Sequence, residues 1–182
     1  MKKAKNFIFF VLFWIACCAV FGIVHDQITY TISEEYYTKF KFIQFYINNE
    51  TNRFGVALVG LLSTWWMGLI IGIILGLVGL IQKNIKEMYQ ATLESLIIVF
   101  LITVLTELFG FLYAQMYLMH QGRDYFKSWY IPEDILNLKN YITVGMMHNF
   151  AYLGGFLGIL FGIVWQITRK KILKSGKRYI NT

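Results

Sequence analysis

Three histidines (His25, His120 and His148), together with Asp26 and Glu107, are the side chains of this sequence whose types could do chemistry in apolar surroundings. Imidazole and carboxylate are the usual ligands of zinc and iron, and the same pairing serves general acid–base catalysis. No H-E-x-x-H pattern or other short-spaced ligand motif joins them, so a shared site must be assembled by the fold. Met116 and Met119 precede His120, while Met146 and Met147 precede His148; thioethers beside imidazole would select copper(I), and otherwise methionines fill gaps between helices. A haem held by His120 and His148 is a further arrangement of the same residues. Cys17 and Cys18 are adjacent within an apolar run, where a thiol stays protonated and inert. No G-x-S-x-G elbow or phosphate-binding glycine loop occurs in the sequence.

The elements that must position these residues are membrane spans. The chain has 182 residues, 57% hydrophobic and 18% aromatic, with a single proline. Its mean hydropathy of +0.53 is too high for a soluble domain of this size. Apolar stretches cover about residues 7–24, 55–81, 91–119 and 141–168, each near or above the ~20 residues a helix needs to cross the hydrocarbon. The expected fold is all-α: one four-helix transmembrane bundle over 1–182 with two structured outer loops. Lys2, Lys3 and Lys5 before the first stretch resemble the start of a signal sequence, yet the apolar run is long and lacks an A-x-A site, so it reads as a span.

Charge placement sets the orientation. Eleven of the seventeen basic residues lie before the first span, between the second and third, or after the fourth. The six others (Lys39, Lys41, Arg53, Arg123, Lys127, Lys139) share the longer connections with seven of the ten acids, among them Glu50. By the positive-inside rule both termini are cytoplasmic, and the size and Lys/Asn/Ile-rich style suit a bacterial inner membrane. The formal charge of +7 is gathered at helix ends, which suits anionic headgroups and excludes a nucleic-acid surface. Membrane lipids are the expected partners.

Small residues mark where helices approach, because lipid gives no hydrophobic drive for their association. Gly60, Thr64, Gly68, Gly72 and Gly76 form one stripe, and Gly154, Gly158 and Gly162, with Gly155 alongside, form another; either could also seat a second copy or a partner protein. Glu107 shares a face with Thr103, Gly110 and Ala114, and His148 shares one with Gly145, Ala151, Tyr152 and Gly155. At 1.5 Å per residue, Glu107 falls about 11 Å and His148 about 4 Å below the outer boundary, an offset of about 7 Å. A carboxylate at that depth needs a partner. The expected centre is Glu107 paired with His148, capped from the loop by His25 and Asp26, with His120, Gln115 and Tyr152 nearby.

The loops carry their own expectations. Residues 25–32 alternate as a strand does, 36–47 fit an interfacial helix, and Pro132-Glu133-Asp134 reads as a helix start. Tyr125, Trp129 and Tyr130 read as headgroup-level anchors. Trp65 and Trp66 lie deeper and are expected to pack against the bundle or wall the site. The function read from the sequence is an outward-facing polar site that fixes helix register and binds a partner or lipid. The alternative is a transition-metal site (zinc, iron or copper), or a metal-dependent intramembrane enzyme acting on a lipid with His148 or His25 as base.

Overall fold

The computed structural model describes residues 2–48 and 52–180, with the side chains of residue 2 and residues 175–180 excepted; Glu50 and the side chains of Lys2, Lys177 and Arg178 therefore lie outside what is described. Four long helices dominate: α1 (Lys2–Ile32), α2 (Asn52–Gly79), α3 (Ile85–Met116) and α4 (Leu138–Ile180). Among the described residues these four are long and apolar enough to cross a membrane, which indicates an integral membrane protein. α1 packs chiefly on α2 and α3 on α4, and the two pairs meet mainly through α2 and α4.

The α1–α2 contact is a close backbone approach. A Cβ on Gly22 would strike the Gly60 carbonyl and Thr64, and one on Gly60 would strike the backbone at Gly22, so only glycine fits both sides. Thr64 Oγ1 uses the proximity to donate to the Cys18 carbonyl at 2.9 Å. Gly68 and Gly72 meet α1 lower down, at Trp14 and Val11. On α4, Gly154 fits against Thr103 and Thr106 and Gly158 against Val99, both on α3, whereas Gly162 faces Leu75 of α2.

Polar ties hold the end of the bundle where α1 starts and α4 finishes. Lys3 Nζ donates to the carbonyls of Leu80 (3.2 Å) and Gln82 (2.7 Å), satisfying acceptors left free where α2 ends. Asn84 Oδ1 accepts from the Glu87 amide at 2.9 Å and starts α3, so the helix begins six residues before the apolar stretch that opens at 91. Arg169 Nε donates to Glu94 Oε2 at 2.7 Å, linking α4 to α3.

The two long loops at the opposite end depart furthest from expectation. Residues 25–32 are the last two turns of α1, not a strand: nothing from Ile23 to Ile32 breaks the helix, and the hydroxyl of Ser33, just beyond it, accepts the Tyr36 amide at 3.3 Å and starts the next turn. The chain then makes a short α turn (Glu34–Tyr36), a π turn (Tyr37–Lys41) and a further α turn (Phe42–Gln44). This segment is helical as expected, but it folds over the bundle and buries Tyr36, Tyr37, Lys41 and Phe42 against Val56, Val59, Tyr141 and Val144.

The second long loop is locked to that segment. Glu35 accepts the amides of Leu136 (2.9 Å) and Asn137 (2.8 Å), and Lys39 bridges Glu35 (3.0 Å) and Asp134 (3.1 Å). Burial opposes ionisation of Glu35, but the two amides and the Lys39 ammonium together hold its carboxyl below the ordinary 4.5. Pro132-Glu133-Asp134 does not begin a helix. Arg123 takes the carbonyls of Ile131, Pro132 and Glu133, and α4 starts only at Leu138, where Asn137 Oδ1 accepts the Asn140 amide. Trp129 covers Gly145, while Tyr125 and Tyr130 are exposed.

Candidate metal centre

Because α1 runs on to Ile32, His25 and Asp26 are borne by helix rather than loop. Consecutive helical residues point about 100° apart, so His25 reaches α3 while Asp26 reaches α4. His25 Nδ1 lies 2.9 Å from Asp26 Oδ1, and its Nε2 lies 3.2 Å from Glu107 Oε1. His148 Nε2 lies 3.3 Å from the same Asp26 Oδ1, and His148 Nδ1 lies 2.9 Å from the Val144 carbonyl. The two imidazoles meet edge to face, with ring centres 4.6 Å apart. Exposure is 6% for His25, 1% for Asp26 and 5% for His148.

The site therefore differs from expectation in its pairing. Asp26, not Glu107, is the carboxylate beside His148; Glu107 pairs with His25. The cause is the extra length of α1, which inserts His25 and Asp26 between the two residues expected to touch. His120 is not brought in: it is exposed in the short turn Leu118–His120 after α3. The His120–His148 arrangement that a haem would use is thus not formed. Nor do the methionines gather, since Met116 is exposed and Met146 packs into the outer aromatic cluster. Gln115 donates to Thr143 Oγ1 at 3.0 Å and joins α3 to α4.

Hydrogen-bond accounting defines the chemistry. A carbonyl only accepts, so His148 Nδ1 carries a proton and neutral His148 presents a lone pair at Nε2. That lone pair faces a carboxylate oxygen. His25 meets the same difficulty, with one ring nitrogen toward Asp26 and the other toward Glu107. Both Nε2 atoms and Asp26 Oδ2 are buried without a geometrically sound hydrogen bond, an expensive condition unless a cation is shared among them. Ligating atoms of His25, Asp26 and His148 lie within 4.8 Å of one another, so this buried group could hold a metal ion. The 3.3 Å separation equals the ligand–ligand edge of about 3.3 Å around tetrahedral zinc, and the 2.9 Å one falls a little short of it.

A cavity of about 50 Å³ adjoins the group, lined by Cys18, Phe21, Met67, Phe100, Thr103 and Tyr152 among others. That is space for a few small molecules the size of water. The Tyr152 hydroxyl donates to the Ser63 carbonyl at 2.9 Å, and its ring stacks on Trp66 at 5.5 Å. Trp66 thus packs as expected, whereas Trp65 is exposed.

The 34–44 segment roofs the site. The Tyr36 ring centre lies 5.1 Å from that of His148, and the Tyr37 hydroxyl bonds Thr29 at 2.5 Å. Burial raises both phenols well above their ordinary range. Lys41 is buried among the rings of Tyr36, Phe40 and Phe45, with its ammonium 5.2 to 5.9 Å from their centres. Burial lowers its ammonium below the usual range, and Asp26 partly offsets this. Sequence reasoning missed this roof; a lysine flanked by Phe40 and Phe42 was the available sign. Compared with protein-family models, with curated proteins and with solved structures, the chain matches none.

Proposed function

We propose that this chain is an integral membrane protein that holds a transition-metal ion on His25, Asp26 and His148, with Glu107 orienting His25. The observation that carries this reading is the buried convergence of two imidazoles on one Asp26 oxygen, at separations a small cation would span, with both Nε2 atoms and Asp26 Oδ2 lacking a hydrogen bond. Two imidazoles and one carboxylate form a donor set suited to zinc or iron(II), with positions left open beside the cavity. Bound there, such an ion would polarise a substrate oxygen or activate water. Glu107 Oε1, 3.2 Å from His25 Nε2, stands where the outer partner of a ligating histidine usually lies. Charge placement supports the site lying in the outer half, with both termini cytoplasmic.

Metal analysis of detergent-purified protein, loaded with zinc, iron(II) or copper, tests the reading. Wild type should hold one ion per chain, and Asp26→Asn or His148→Ala should weaken binding by about tenfold or more. Wild type as empty as the variants after loading would sink it. The same four residues would then serve only to tie α1 to α3 and α4.

A further inference from the structure

At the opposite end of the molecule lies an open cleft of about 550 Å³, bounded by the start of α1, the α2–α3 turn and the later part of α4. We propose that it binds the phosphate headgroup of an anionic membrane lipid through Lys3, Lys83, Lys170 and Lys174. All four lysines line it, with Ile81 and Leu173 as apolar wall. Lys170 and Lys174 are one helical turn apart and share a face of α4. Among the described residues, no protein acceptor meets the ammonium groups of Lys83, Lys170 or Lys174, all in exposed residues. Lys3 is held in place by the Leu80 and Gln82 carbonyls.

The one acid of the cleft offsets at most one of the four lysine charges, so the lining stays net positive. Glu87 is turned onto its own helix start, where it accepts from the Lys83 amide (3.3 Å) and the Asn84 side chain (3.2 Å). Position selects a lipid over a soluble anion. The apolar part of α2 ends at Gly79 and that of α4 at Thr168, so the cleft begins within a few residues of both ends, at the level where bilayer phosphates lie. Ile81 and Leu173 there meet the glycerol and first methylenes, and the lysines meet the phosphate. This site is independent of the metal centre.

Native mass spectrometry of protein released from mixed phosphatidylglycerol–phosphatidylcholine nanodiscs provides the test. Wild type should retain phosphatidylglycerol in preference to phosphatidylcholine. The triple variant K83Q/K170Q/K174Q, which leaves the structural Lys3 intact, should retain it at least about tenfold less, while K127Q in the outer loop should behave as wild type. Should the triple variant not fold, K170Q and K174Q alone must each lower retention. Equal retention by the lysine variants, or phosphatidylcholine retained as well as phosphatidylglycerol, would overturn the proposal. So would displacement by an equal concentration of inorganic phosphate, which would mark a soluble-anion site.

Discussion

Asp26 is the residue on which the outer site turns, because one of its oxygens lies against both imidazoles. With neutral rings, four ring nitrogens facing three acceptor oxygens, one of them shared, leave two protons to be supplied; one divalent ion supplies the same charge. Metal uptake should therefore release up to two protons per chain, measured by calorimetry in buffers of different ionisation enthalpy. The groups that face this exchange are His25 and Asp26 on α1, Glu107 on α3, His148 on α4, and Tyr36, Tyr37 and Lys41 of the roof. Uptake with no buffer dependence would contradict the assignment. Glu107→Gln should weaken metal binding by about 10- to 100-fold without abolishing it, and His120→Ala should leave it unchanged. Depth and polarity alone drew attention to His25, Asp26, Glu107 and His148, which the fold brings together. Their partners were not legible, because pairing depends on which way a helix-borne side chain turns, and that required knowing that α1 continues past Val24.

The approach of α1 to α2 rests on Gly22 and Gly60, each occupying space the other's side chain would need. Gly60→Val should push the helices apart and lower stability by at least about 1–3 kcal/mol, with loss of metal as His25 and Asp26 shift; thermal unfolding in detergent together with metal content reads both. A variant of wild-type stability would show that the contact tolerates separation. The existence of four spans was plain in the sequence because hydropathy over ~20 residues is a strong pattern. Their ends were not. Residues 25–32 alternate in polarity, yet no residue there stops a helix, and continuation of the existing hydrogen-bond ladder outweighs a local strand preference. The stop at 131–137 was equally hidden, since Arg123, earlier in the same loop, and Glu35, far away in the chain, impose it together.

For the molecule as a whole, basic residues at one end and the roofed acid–imidazole group at the other predict a fixed orientation. Cysteines introduced at Ser128 and at Lys174 should be labelled by impermeant maleimide from opposite sides of sealed vesicles, in a background where Cys17 and Cys18 are replaced by alanine. Labelling from the same side would refute it. The roof has a kinetic consequence. Glu35 and Lys39 clasp segment 34–44 to the loop at 134–137, and Tyr36 of that segment lies against His148, so the path from the proposed ion to that end of the bundle runs through the clasp. A chelator that outcompetes the site at equilibrium should strip intact protein slowly, at a rate indifferent to chelator concentration, and should strip Glu35→Ala quickly.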